Sequence, residues 1–300
     1  MVKQNHAENA PQEIELKLAI PGASIPRLKA HALLASLKAE QHTLTNTYFD
    51  TPQGLLASAR IALRLRRDDG KILQTVKTAG VGGGGLSTRG EWEWPLPQFE
   101  LDIAGLTKLP PFADMDHELL AALTPQLATN FTRTRWEIEK ADSLIELVLD
   151  EGEIVSGHHT APIREIELEL KSGQADTLWD VATLIAQTVP LRPSDSSKAV
   201  RGKWLAGQHW PLPDAASPDG WLHRATVALD AFHDSQQADL LNHARDALQQ
   251  LATDPELKPD DRTLAEQLLT GLDTQGQPDT GYGAAALTLA RRLAEPSALS

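Results

Sequence analysis

The sequence predicts an α+β protein: an antiparallel β-barrel with covering helices, followed by a small all-α C-terminal region. Between Glu13 and Trp204 several segments alternate charged and apolar residues with a period of two, the pattern of strands with two unlike faces. The charged faces are largely sorted by sign, strand by strand. Beyond residue 220 the apolar residues recur at helical spacing instead.

In EIELKLAI, Glu13, Glu15 and Lys17 share one face, and Ile14, Leu16, Leu18 and Ile20 the other. Residues 24–39 carry Ile25, Leu28, Ala32, Leu33 and Leu37 at helical spacing, with Ser24 and Pro26 as a helix start. In RIALRLRR, Arg60, Arg64 and Arg66 oppose Ile61, Leu63 and Leu65. In KILQTVKT, Lys71, Thr75 and Lys77 oppose Ile72 and Val76. The VGGGG of residues 81–85 lacks a following Gly-Lys-Ser/Thr and reads as a connector between strands, not a phosphate loop.

The next strand sets Arg89, Glu91 and Glu93 against Trp92 and Trp94. TRTRWEIE sets Arg133, Arg135, Glu137 and Glu139 against Trp136 and Ile138. LIELVLDEG places Glu146, Val148 and Asp150 opposite Ile145, Leu147 and Leu149. PIREIELEL places Glu165, Glu167 and Glu169 opposite Ile166, Leu168 and Leu170. Any one of these strands fits a sheet with a wet face. As a set they do not, because like charges two apart repel on a bare surface and the apolar faces need a cover. Closing the sheet turns the charges inward and the apolar faces out beneath helices. Buried charges must then be paired or bound to ions. A polyanion chelated to divalent cations meets both needs: Arg and Lys take phosphate oxygens, and carboxylates take hard metals.

The Pro-, Asp- and Ser-rich stretch at 211–220 is the expected boundary between a first domain, 1–210, and a helical second domain, 211–300. Helical patterns follow at about 221–252, 259–273 and 281–294. The first aligns Leu222, Ala225, Leu229, Phe232, Leu240, Leu241, Ala244, Leu248 and Leu251.

Composition narrows the function. A net charge of -13 argues against a general nucleic-acid binder. From Leu205 onward there are 14 acidic and 6 basic residues, so the basic side chains concentrate in the first two thirds of the chain. No apolar run is long enough for a transmembrane helix, and the N-terminus has no apolar core of a secretory leader. The absence of cysteine removes disulfides and thiolate chemistry. The expectation is a cytoplasmic protein, monomeric or homodimeric, with no nucleic-acid or membrane partner.

The motifs resemble the CYTH, or triphosphate tunnel metalloenzyme, superfamily. Glu13-Ile14-Glu15-Leu16-Lys17 matches its leading Glu-x-Glu-x-Lys signature. Tyr48-Phe49-Asp50-Thr51, Leu63–Arg66, Thr75–Lys77, Arg89–Glu93, Leu149–Gly152, Glu165–Glu169 and Ser196-Ser197-Lys198 before Gly202 follow in family order. The resemblance implies an eight-stranded antiparallel tunnel that hydrolyses inorganic triphosphate with Mg²⁺ or Mn²⁺, two ions in all. It implies Glu13, Glu15, Lys17, Asp150 and Glu167 at the reaction. It implies Lys17, Arg64, Arg66, Lys77, Arg133, Arg135, Lys198 and Arg201 on the triphosphate, with Arg89 as a further contact. Glu13, Glu15, Glu165, Glu167 and Glu169 are implied metal ligands. Glu91, Glu93 and Asp150 ligate metal, orient its waters or fix the basic side chains. Thiamine triphosphatase, adenylate cyclase and a non-catalytic polyphosphate- or nucleotide-binding module are the alternatives.

Other residues read as structural. His158 and His159 are adjacent and fit a turn better than a metal pair. Trp92, Trp94 and Trp136 sit on apolar faces and read as core. Tyr48 and Asp50 are open to a structural or a substrate role. The C-terminal third resembles a reduced CHAD domain that lacks the family's basic, His-containing helix, and is expected to be a packing or dimerisation element.

Overall fold

The computed structural model describes residues 11–113 and 115–294. The N-terminal stretch assessed as a leader falls mainly on residues 1–10, outside the described residues. The chain runs β1 (Gln12–Ala19), α1 (Ile25–Lys29), α2 (Ala32–Ala35), β2 (Glu40–Asp50), α3 (Leu55–Ser58), β3 (Ala62–Asp68), β4 (Lys71–Lys77) and β5 (Leu86–Leu96). It continues through α4 (Ile103–Leu106), α5 (His117–Ala121), β6 (Thr124–Lys140), β7 (Ser143–Ser156), β8 (His159–Ser172), α6 (Asp176–Ala186), a two-residue β9 (Arg192–Pro193) and α7 (Lys198–Gly207). The last helices are α8 (Pro218–Ser235), α9 (Ala238–Thr253), α10 (Pro259–Thr270) and α11 (Thr280–Ala294).

Strand order is β5-β4-β3-β2-β6-β7-β8-β1, and β1 pairs back onto β5, so eight antiparallel strands close on themselves. Closure leaves these strands no free edge. Register places Lys17 opposite Glu167, Glu15 opposite Glu169 and Ser87, and Asp150 opposite Glu165 and Arg133. The inward face therefore stacks charged rows at matched heights.

The apolar faces turn outward. Leu16, Leu18, Ile166 and Leu168 are fully buried against α6, whose Leu178, Val181, Ala182 and Ile185 recur at i, i+3, i+4 and i+7. Each such Leu, Ile or Val side chain contributes roughly 1.5–3 kcal/mol relative to exposure. The same apolar cluster runs on without a break into Leu222, Leu229, Leu248 and Leu287 of the C-terminal helices. A second, smaller cluster sits outside β3–β5, where Leu56, Ile61, Leu106, Phe112 and Leu120 pack against Trp92 and Trp94.

Three expectations need correction. Residues 24–39 form two short helices, because His31 leaves helical geometry and accepts a hydrogen bond from Leu33 N at 3.2 Å, capping α2. The pattern at 221–252 is broken by Gln236, at φ 60°, into α8 and α9. Arg60 is not a strand residue: it lies ahead of β3 with φ 56°. The VGGGG connector does join β4 to β5, and residues 157–158 form the turn between β7 and β8.

Candidate active site

A cavity of about 880 Å³ occupies the barrel interior and extends toward α7 and α8. Ten Lys and Arg side chains line it against eight Asp and Glu, an excess of cations in a chain of net charge -13. Lys17, Arg64, Arg66, Lys77, Arg133 and Lys198 all face it, as do Glu13, Glu15, Glu91, Glu93, Glu167 and Glu169.

On β1, Glu13 and Glu15 alternate with partly buried Ile14 and fully buried Leu16, which fixes their carboxylates inward. Lys77 donates to both oxygens of Glu13 at 2.8 and 2.9 Å. Arg89 bridges the pair, donating to Glu13 at 2.7 Å and to Glu15 at 2.7 Å. Burial pushes the Glu13 carboxyl up, but Lys77 and Arg89 outweigh it and hold the group below its ordinary range. Lys77 also lies 3.3 Å from Glu91. Glu93 is exposed at the rim, where it accepts a 2.8 Å bond from Thr75.

A second charged group lies under β6–β8. Arg133 makes two parallel 2.8 Å bonds to Asp150 and one of 2.9 Å to Glu167. Lys198, the first residue of α7, inserts its ammonium among Asp150 (2.7 Å), Glu165 and Glu167 (3.2 Å). These three carboxylates present oxygens within 4.8 Å of one another. Burial raises Glu167, yet Lys198 and Arg133 outweigh it and hold it well below the ordinary range. Glu165 goes the other way: burial and the Glu167 charge beside it prevail over Lys198, and its pKa is raised. Asp150 and Glu165 lie beneath Lys198 and do not themselves line the cavity.

Arg64 and Arg66 are different. Among the described residues neither has a carboxylate within 4.0 Å, although both face the cavity. Arg64 donates to Thr75 at 3.3 Å, and Arg66 to Asn46 at 2.9 Å. Asn46 is held in turn by its own 3.0 Å bond to Thr129. Burial, with Arg64 and Arg133 nearby, lowers the Arg66 guanidinium to about 10. Tyr48 faces the same group, and Arg64 and Lys198 hold its phenol below the ordinary value against burial.

Two expected site residues, and one lysine of the charged faces, lie elsewhere. Arg135 stands at the rim, 38% exposed, paired with Glu146 at 2.6 Å. Arg201 does not line the cavity: it donates to Asp234 at 2.7 and 2.9 Å, to Pro162 O at 2.6 Å and to Glu165, beneath Lys198, at 3.3 Å. Lys71 is exposed at the β3–β4 hairpin. Asp50 is a turn anchor, accepting from Thr51, Leu56 and Ala57 backbone N–H groups. Asn46, Asp195 and His223 belong to the setting of the cavity but to none of the expected strand faces.

The fold and its lining define a class: a closed antiparallel barrel with carboxylates and cationic side chains opposed across its interior. The chain belongs to the CYTH domain family, whose model matches residues 11–202. It is 37% identical over 217 residues to an inorganic triphosphatase of Haemophilus influenzae, across 71% of this chain and 58% of that relative. It thus spans less than two thirds of that relative's length. Among solved structures, it is similar to an adenylyl cyclase candidate from Hippeastrum whose dominant activity is that of a triphosphatase (23% identity, 64% of this chain and 95% of that one, TM-score 0.46). It is also similar to a Pyrococcus horikoshii protein (19% identity, 62% and 96%, TM-score 0.42). Among the described residues no helix is long and apolar enough to cross a membrane.

Proposed function

We propose that the barrel interior binds inorganic triphosphate and that the chain hydrolyses it to diphosphate and phosphate with the help of Mg²⁺ or Mn²⁺. The observation that carries this reading is Arg64 and Arg66: two cations facing a cavity with no carboxylate partner among the described residues. Arg66 is buried, with the like charges of Arg64 and Arg133 near enough to lower its pKa, and an arginine so placed is stabilised by an anion of high charge density. The family membership and the Haemophilus triphosphatase relative support the same chemistry.

The carboxylates fit a hard divalent cation. Glu13, Glu15 and Glu167 sit on the neighbouring strands β1 and β8, are buried or nearly so, and offer only oxygen donors. Bound there, a metal ion would neutralise phosphate oxygens and lower the pKa of a coordinated water. The protein's own groups do the rest. Lys77 and Arg89 keep Glu13 ionised; Arg64 and Arg66 hold phosphoryl oxygens and stabilise the charge that develops on the departing diphosphate. Arg133 fixes Asp150 and Glu167, and Lys198 and Lys17 bring ammonium groups to the same wall.

The test is a comparison of inorganic triphosphate, thiamine triphosphate and ATP as substrates, with phosphate, diphosphate and cyclic AMP measured. The expected result is a kcat/KM for inorganic triphosphate at least about tenfold above the other two. Cyclic AMP as the main product from ATP would move the assignment to a cyclase.

A further inference from the structure

Helix α8 carries three polar groups on one face. His223, Asp230 and Asp234 are spaced by seven and four residues, so at 3.6 residues per turn they point the same way. Each grips a different part of the segment from Arg192 to Arg201. Asp234 takes Arg201 through two bonds, at 2.7 and 2.9 Å. His223 Nδ1 lies 2.7 Å from Asp195, whose other oxygen accepts the Gly85 N–H at 2.7 Å.

Asp230 is the centre of this grip. It is 4% exposed, in a turn of α8 whose sequence neighbours Val227, Ala228, Leu229, Ala231 and Phe232 are all buried and apolar. One oxygen accepts from Arg192 Nη1 at 2.5 Å. The other accepts from Ser194 Oγ at 3.1 Å and from the backbone N–H groups of Asp195 and Ser196, at 3.2 and 3.1 Å. Among the described residues neither of those N–H groups meets a backbone carbonyl. A buried N–H must find an acceptor, so this carboxylate dictates the path of the 194–196 backbone. Two residues later Ser197 caps α7, and Lys198 enters the Asp150, Glu165 and Glu167 group.

We propose that Asp230 is a positioning residue for the tunnel site: by fixing the 194–197 backbone it places the Lys198 ammonium against Glu167 and Glu165. The C-terminal helices are then part of the site's construction and not an appended packing module. The proposal rests on the triphosphate reading for its kinetic arm only.

The experiment uses the full chain and Asp230→Asn, which keeps the volume but puts an amide where four donors converge. Triphosphate kinetics are measured in a double-mutant cycle with Lys198→Ala. Acetylation of individual lysines by a soluble anhydride is followed in parallel by mass spectrometry. Asp230→Asn is expected to lower kcat/KM by about tenfold or more, since a displacement of about an ångström in a polar site has effects of that size. In the Lys198→Ala background the same change should cost less than about twofold. Lys198 should acetylate several-fold faster in Asp230→Asn, with Lys17, buried on β1, unchanged. Ser194→Ala, which deletes one of the four bonds, should shift Lys198 labelling and kcat/KM in the same direction by less, and serves if Asp230→Asn does not fold. Asp261→Asn, a buried carboxylate paired with Arg292 far along the helices, should leave both unchanged.

An equal loss in both backgrounds, or unchanged Lys198 labelling in Asp230→Asn and Ser194→Ala, overturns the proposal. Should the wild-type chain turn over no triphosphate, the functional reading falls, and the labelling alone decides the role of Asp230.

Discussion

Lys77 and Glu13 form a doubly bonded pair, the ammonium reaching both carboxylate oxygens at 2.8 and 2.9 Å. The pair joins β4 to β1 across β5, and Arg89 on β5 closes it. Glu13 is thereby held ionised at one height of the barrel. Glu13→Gln keeps the shape and removes the charge. Metal-dependent turnover of triphosphate is expected to fall by about a hundredfold or more, with the far-ultraviolet circular dichroism unchanged. Full activity in the Gln variant would remove Glu13 from the metal set.

Arg64 and Arg66 should behave unlike Arg135. Loss of a charge-assisted bond costs about 1.5–3 kcal/mol, so Arg64→Ala and Arg66→Ala should each raise KM roughly tenfold or more. Arg135 is 38% exposed and already paired with Glu146. Arg135→Ala should change KM by less than about twofold, as exposed ion pairs are worth little. Steady-state kinetics of the three variants decide the matter, and equal effects would contradict the placement of Arg135 at the rim.

Gly85 is needed for a close approach. Its φ is +92°, and a Cβ there would lie 2.5 Å from Lys17 O, to which its neighbourhood is tied by the Lys17 N–H bond to Gly85 O at 2.9 Å. Gly85→Ala should lower stability by about 1–3 kcal/mol in urea unfolding. An unchanged midpoint would show that the loop relaxes freely.

Acid should loosen the C-terminal helices through His233. Its Nε2 donates to Gly276 O at 3.1 Å. Burial first, then the charge of Arg192, lowers its pKa from 6.5 to about 4. Between those values the unfolded chain binds a proton that the folded chain does not, so stability rises with pH across the window and is lost as pH falls from about 6.5 to about 4. The contribution is at most on the order of 3 kcal/mol, from about 2.5 pKa units at roughly 1.4 kcal/mol each. His233→Gln should flatten that part of the stability–pH curve; a curve of unchanged slope would assign it to other groups.

The barrel was legible because the period-two pattern writes both its faces into the sequence. Glu165, Glu167 and Glu169 announce an inward row, and Ile166 and Leu168 the wall that α6 covers. α6 lies outside the expected helices, although Leu178, Val181, Ala182 and Ile185 carry its stripe. The broken helices escaped because the apolar period continues across His31 and Gln236, while local backbone geometry does not. Arg201 lies beside a family motif, yet strand and motif position say nothing of Asp234, which arrives from another helix and holds the guanidinium behind Glu165, out of the cavity. Asp230 left a readable trace, a lone carboxylate in the apolar run VALDAF, because a buried Asp must have partners. Which partners it has depends on tertiary packing that no local pattern encodes.

The most direct test of the account is phosphate release from inorganic triphosphate by the purified full chain, with Mg²⁺, with Mn²⁺ and with excess EDTA. Turnover is expected with either metal and is lost in EDTA, to be restored when metal is returned. Turnover undiminished in EDTA, or none under any condition, would contradict it.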